Sequence, residues 1–391
     1  MIEEYYRAEI SSLNHEIYRL NRQIEEERKN KLPDKMNPFD NPTEYPEFSG
    51  DYSDIMPELD APDCTIPLEP EITERRKIKR FYSVGGWCIL GQFFISNLLS
   101  YAIIYILRMV ISSINTGADM RTISIYMESS SIFASINMLA FIISNVGFAF
   151  MGMKMARIPK SQLVRTRNFS FRKAIQYCFI AFFLWELSAI VASGINDIFV
   201  KYGYTTDVMD LDGIAVTGTG WAIMTIYTCI IAPLTEEIFF RGMLLRVFSR
   251  TNQRFAVFAT AFFFGLSHHN IPQFTLAFIM GIFLAHITLK HNSIIPAVIV
   301  HAFVNTSSTF MTYIEESAGY IFTAVLILVM ALMGFFLLCV FNENNKLPAT
   351  TPAQSRRGMT VAKSSIMFII SVFVQVIYTI ALIFMYNKGG H

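Results

Sequence analysis

The sequence is poor in charge and in cysteine, and each shortage excludes a class of protein. Only 16% of the 391 residues are charged, a low share for a soluble domain of this size. The five cysteines stand singly without a CxxC pair, so neither a disulfide framework nor a zinc knot is predicted. The net charge is +1 and the charges are segregated along the chain, which argues against nucleic acid as a partner.

Apolar residues are abundant instead. They make up 53% of the chain, and its mean hydropathy is +0.39, so a bilayer is the predicted solvent for most of it. We predict an all-α polytopic transmembrane bundle over residues 81–391, with about eight or nine spans. The apolar segments are 83–112, 129–153, 173–196, 216–249, 255–270, 273–289, 293–313, 319–341 and 364–386. Segment 255–270 is short for a complete span.

The loops between these segments predict the topology. Lysine and arginine gather on one side of the membrane, which is the pattern of cytoplasmic loops. With no apolar core of a signal peptide in the first 30 residues, the N-terminus is expected to stay in the cytoplasm. The expected location is the plasma membrane of a bacterium. The inner cations are Lys154, Arg157, Lys160, Arg165, Arg167, Arg172, Lys173, Lys346, Arg356, Arg357 and Lys363.

Two polar regions precede the membrane domain. Residues 1–30 are predicted to form a cytosolic amphipathic helix, whose apolar residues from Tyr6 to Ile24 follow a heptad. That seam favours a homodimer through residues 6–24, although packing on the chain's own membrane domain explains it as well. Residues 31–80 are predicted to be a disordered acidic linker followed by a basic flank, because 36–74 holds 11 acidic residues, 7 prolines and no Lys or Arg.

A charged group inside a predicted span indicates a functional or structural role, because inserting it into the membrane costs roughly 2.5 to 3.5 kcal/mol. Glu237 and Arg241 are four residues apart and predict an ion pair on one helix face. Glu236 is turned about 100° away and lacks that partner. Pro233 is predicted to kink this helix and make room for water or substrate. A lone acid, Glu186, stands in another span and is assigned a structural role.

Three further polar residues fall at a similar depth. His268 ends one predicted span, and His301 and Asn305 are four apart in another. Counted from the cationic helix ends, Glu236 and both histidines lie about 16 to 21 Å deep at about 1.5 Å per residue. Three helices can therefore deliver them to one chamber.

This set of side chains supports two kinds of hydrolysis. In the first, Glu236 and His268 activate a water, while His301 and Asn305 stabilise the oxyanion. In the second, Glu236, His268 and His301 bind zinc. The sequence leaves both open, although the absence of an HExxH helix favours the metal-free version.

These residues also form an ordered set of motifs. The chain has EExxFR at Glu236, Glu237, Phe240 and Arg241, then FxxxH at Phe264 and His268, then HxxxN at His301 and Asn305. It thereby resembles the CPBP family of intramembrane proteases, also called the CAAX prenyl protease type II or Abi family, within a predicted core at about 216–313. The resemblance implies a helical membrane endopeptidase, with catalytic Glu236, His268, His301 and Asn305 and supporting Glu237 and Arg241.

The family is commonly labelled metal-dependent, and its members act on membrane-associated proteins or peptides. The runner-up hypothesis is a non-catalytic scaffold or bacteriocin-immunity factor that works by binding a partner. The heptad arm is the feature that favours it. A transporter is a third interpretation. In the purely structural interpretation, these polar residues only form ion pairs and hydrogen bonds between helices of the bundle.

Overall fold

The structure is a computed structural model, and it describes residues 19–20, 22–23, 70–114, 119, 121–123, 131–164, 170–204, 218–250, 252–344 and 361–388. The chain divides into two compact units, Met1–Thr73 and Glu74–His391. In the first unit, residues 19, 20, 22 and 23 are helical. The predicted heptad of residues 6–24 and the acidic tether of 36–74 lie almost entirely outside the described residues, so both stay predictions.

The described part of the second unit is helical, with no strand. Its helices are α1 (Pro70–Ile114, which begins at the end of the first unit), α2 (Ser131–Met155), α3 (Phe171–Lys201), α5 (Gln253–Leu266), α6 (Ile271–His291), α7 (Ile295–Ala318), α8 (Tyr320–Asn344) and α9 (Ile366–Lys388). Helix α4 consists of Gly218–Ile226, Ala232–Glu237 and Arg246–Ser249, joined by π-helical turns at Tyr227–Ile231 and Ile238–Leu245. The basic flank before the first predicted span forms the opening turns of α1.

The predicted fold class is confirmed. Each of the nine apolar segments corresponds to one helix, and seven helices of the described chain are long and apolar enough to cross a membrane. The other two, Gln253–Leu266 and Ile295–Met311, are shorter apolar helices. Large apolar side chains are exposed along the spanning helices, among them Phe94 on α1 and Phe336 on α8, which is what a surface in contact with lipid requires.

Short caps explain why α5 and α6 are separate helices. The Asn252 side chain accepts a hydrogen bond from the Phe255 amide at the start of α5, and Asn270 does the same for Gln273 at the start of α6. Pro272 occupies the first turn of α6, where the missing N–H costs nothing. Helix α5 ends at Leu266, four residues before the end of the predicted segment 255–270.

Two groups of buried side chains hold the bundle together. The first joins α1, α2, α4 and α5 and includes Tyr82, Met243 and Phe264. The second joins α3, α6 and α7 and includes Leu284 and Val300. Helix α6 contributes to both groups, with Ala277 and Ala285 in the first and Met280 and Leu284 in the second.

Candidate active site

Helix α4 is irregular on both sides of the two glutamates. Pro233 has no N–H to donate to the preceding turn, and the turn directly before it is π-helical, with the Ala232 amide bonded to the Tyr227 carbonyl five residues back. In the same register the Thr228 carbonyl would require the N–H of Pro233, which does not exist. Thr228 O is therefore left for a donor outside the helix backbone.

Asn305 supplies that donor. Its Nδ2 donates to Thr228 O at 2.9 Å, which joins α7 to the irregular turn of α4. One amide hydrogen is used in this bond, and the second remains for another partner. The kink predicted from Pro233 is thus a π-helical turn that positions Asn305.

Of the two adjacent glutamates, Glu237 has the structural role. Its side chain and that of Arg241 are both 0% exposed, and Arg241 Nη1 donates to Glu237 Oε1 at 2.8 Å. His301 Nδ1 lies 2.9 Å from the same oxygen, so a hydrogen on Nδ1 bonds to the carboxylate. The predicted Glu237–Arg241 pair is present, and it also fixes the orientation of the His301 ring.

Phe264 connects the arginine with both histidines. The Arg241 guanidinium lies 4.3 Å from the centre of its ring, a cation–π arrangement. Its ring contacts His268 edge to face at 5.2 Å and His301 at 5.6 Å. It also packs on Phe240 at 5.1 Å. Both motif phenylalanines therefore pack around the polar groups.

One contact shows which ring nitrogen of neutral His268 carries the hydrogen. His268 Nδ1 lies 2.8 Å from the carbonyl oxygen of Phe264. Because a carbonyl oxygen can only accept, Nδ1 must carry the hydrogen, and the neutral ring keeps its lone pair on Nε2. Nε2 is therefore the nitrogen that can take a proton from a bound water.

All four predicted catalytic side chains line one cavity of about 340 Å³. Glu236 is 23% exposed, and its Oε2 lies 3.8 Å from His301 Nε2, which is beyond hydrogen-bond distance. The two adjacent glutamates thus differ: Glu237 is fully buried and bonded through Oε1 to Arg241 and His301, whereas Glu236 faces the cavity. The remaining wall includes Trp185, Tyr227, Leu276, Met280, Leu284 and Val304.

The comparison with known families agrees with this arrangement. Residues 218–307 match the family described as type II CAAX prenyl endopeptidase Rce1-like. The segment that carries the site, called the Rce1-like segment below, is thus similar to that family. The resemblance inferred from the three motifs is therefore confirmed, and the spanning helices together with the match indicate an integral membrane protein. No curated protein and no solved structure matches the chain.

The Rce1-like segment covers α4, α5, α6 and the first half of α7, and all six predicted site residues lie within it. Helices α1, α2, α3, α8 and α9 are outside the match. Trp185 of α3 nevertheless contributes to the wall of the cavity. Glu186 is next to it in sequence but does not line the cavity.

Two residues of the site were not found from sequence. Thr228 acts through its backbone carbonyl, which any residue would provide, and the only signal for it is a proline five positions later. Tyr227 lines the cavity from the π-helical turn. A regular α-helix would place both side chains differently relative to Glu236, so their location depends on the turn itself.

The predicted zinc ligands do not form a binding site in this structure. Among the described residues, no group of three or more His, Cys, Asp and Glu side chains could hold a metal ion. Glu236, His268 and His301 line the same cavity, but a zinc ion needs its nitrogen and oxygen ligands about 2.0 to 2.2 Å from one centre. Zinc binding by these three residues therefore stays a prediction, and the proposed mechanism uses the chain's own residues alone.

Proposed function

We propose that this protein is an intramembrane endopeptidase that hydrolyses peptide bonds of membrane-associated proteins or peptides, as type II CAAX proteases do. The observation that carries the proposal is the convergence of Glu236, His268, His301 and Asn305 on one cavity within the Rce1-like segment, from α4, from the turn that follows α5 and from α7. The match of residues 218–307 to a peptidase family supports the peptidase class. The residue roles below are our proposal.

Hydrolysis begins with a water between Glu236 and His268. Its proton passes to the Glu236 carboxylate or to His268 Nε2, and its oxygen forms a bond with the carbonyl carbon of the substrate. The oxyanion accepts hydrogen bonds from the second amide hydrogen of Asn305 and from His301 Nε2. The C–N bond then breaks, and the stored proton is delivered to the leaving nitrogen, which gives a carboxylic acid and an amine.

The donor role of His301 requires a hydrogen on Nε2. Because Nδ1 already bonds to Glu237 Oε1 at 2.9 Å, a hydrogen on both nitrogens makes the ring an imidazolium next to a carboxylate. Glu237 stabilises that charge, in the way a buried carboxylate supports a catalytic histidine. Glu237 and Arg241 are therefore positioning residues, whereas Glu236 acts on the water.

The first experiment is cleavage of membrane-anchored peptides by the purified protein in detergent. Wild type is compared with Glu236→Ala and His268→Ala, and Glu186→Ala is the matched control, since that acid is also inside a span but does not line the cavity. We expect both site variants to lose cleavage and the control to keep it. Cleavage unchanged in both site variants would refute the proposal and favour a scaffold that binds a partner.

A zinc chelator is added to each sample of the same experiment. Cleavage that persists in the chelator is expected for the metal-free mechanism. Loss of cleavage, restored by added zinc, would show that Glu236, His268 and His301 rearrange into a metal site during the reaction.

A further inference from the structure

A second cavity, of about 470 Å³, adjoins the site. Its volume is within the range of about 300 to 1,000 Å³ typical of ligand pockets. It shares Tyr227, His268 and Gln273 with the wall of the first cavity. We call it the amide chamber, because six carboxamide side chains line it: Gln92, Asn97, Asn137, Asn270, Gln273 and Gln375.

The amide chamber depends mostly on helices outside the Rce1-like segment. Gln92 and Asn97 come from α1, Asn137 from α2 and Gln375 from α9. The family match therefore does not account for them. Asn137 lies about 26 Å before Lys154 along α2, at about 1.5 Å per residue, so the chamber lies toward the helix ends that are remote from the basic residues.

These carboxamides do not serve mainly to bond the helices together. Asn97 Nδ2 donates to Phe93 O and Asn137 Nδ2 to Phe133 O, each within its own helix. Within the described chain, no hydrogen bond between side chains connects two of the six. Gln375 is 2% exposed, and its Oε1 has no hydrogen-bond partner among the described residues.

An unpartnered buried carbonyl oxygen destabilises the fold, because it has lost its bond to water without gaining another donor. Such an oxygen is expected where a bound ligand supplies the hydrogen-bond donor that the protein does not. The described residues of the wall include no Asp, Glu, Lys or Arg, which favours an uncharged ligand. Carboxamides offer both N–H and C=O groups, the same pair that an extended peptide backbone presents. Aromatic residues such as Phe93, Phe133 and Phe141 form much of the remaining wall.

We propose that the amide chamber binds an uncharged, extended segment of the peptide substrate and directs the adjoining peptide bond past His268 to Glu236. This inference rests on the proposed function. It adds a specificity-determining subsite, in which Gln375 accepts a backbone N–H of the substrate.

Binding is measured separately from cleavage, in a Glu236→Gln background. The probe is a fluorescent Leu/Ala spanning peptide that carries a Gly-Ala-Ser segment, and a matched peptide has lysines in that segment. Gln375→Leu removes the acceptor from the chamber. Gln253→Leu is the matched control, because Gln253 Oε1 is also buried without a partner among the described residues but lines neither cavity.

We expect Gln375→Leu to weaken binding of the Gly-Ala-Ser peptide about tenfold, the effect of one lost hydrogen bond. Gln253→Leu should leave the affinity unchanged, and the lysine peptide should bind wild type more weakly. Asn137→Leu is the second chamber variant, for use if Gln375→Leu does not fold. Unchanged affinity in the folded chamber variant, or equal binding of both peptides, overturns the proposal.

The two proposals fail in different ways. Binding that depends on Gln375, without cleavage by the wild type, would refute the peptidase and keep the chamber. Cleavage with a KM that is insensitive to Gln375→Leu would refute the chamber and keep the peptidase.

Discussion

Replacing Glu237 by glutamine tests the difference between the two adjacent glutamates most directly. The substitution keeps the shape of the side chain and removes its charge. Arg241 is then a cation with 0% exposure and no carboxylate beside it. Its other contacts are weak by comparison: Nη2 lies 3.4 Å from Gly281 O, and Nε has no hydrogen-bond partner among the described residues.

Removing one partner of a buried ion pair costs about 3 to 5 kcal/mol. A folded protein is typically stable by only about 5 to 15 kcal/mol, so Glu237→Gln should lose much of its stability. Glu236→Gln is the matched control, because its side chain is 23% exposed and the direct ion pair of Arg241 is with Glu237. We therefore expect low folded yield for Glu237→Gln and near wild-type yield, without cleavage, for Glu236→Gln.

The assay is the monodisperse fraction after size-exclusion chromatography in detergent, together with the thermal midpoint. A double variant, Glu237→Leu with Arg241→Met, removes both charges and should recover much of the yield, since apolar pairs of similar volume replace buried ion pairs at little cost. It should not recover cleavage, because His301 still lacks its carboxylate. Equal yields for the two glutamine variants would refute this reasoning.

Three other experiments test the site, the packing and the topology. Asn305→Ala should lower kcat by about 10² to 10³-fold with little change in KM, as loss of an oxyanion donor does; a larger effect on KM would contradict that role. Gly281→Ala should cost about 1 to 3 kcal/mol, because its Cβ would lie 2.9 Å from the Ala261 backbone, and it should lower the thermal midpoint. Gly147→Ala, which meets nothing within 4 Å, should not. Cysteine labelling in a background without other cysteines should reach Ser161→Cys from the cytoplasm and Glu316→Cys from outside, and the reverse pattern would overturn the predicted orientation.

The nine helical segments were predictable because apolar runs of this length have few alternatives in a bilayer, where backbone groups must bond within the helix. Some helix starts follow from local signals, namely Asn252 at α5 and Asn270 with Pro272 at α6. The ion pair of Glu237 with Arg241 was predictable for the same reason, since a four-residue spacing on one helix brings the two charges together.

The sequence by itself determined the helices, the local pair and the motif set that identifies the Rce1-like segment. The tertiary structure decided which helices are neighbours, and therefore that His301 contacts Glu237 while Glu236 faces the cavity. It also decided that Asn305 bonds to Thr228, because a carbonyl freed by proline carries no side-chain signal and finds its donor only when α7 packs on α4. The amide chamber could not be predicted from the sequence either. Its carboxamides come from α1, α2, α9 and the start of α6, and only the packing of these helices brings them to one wall.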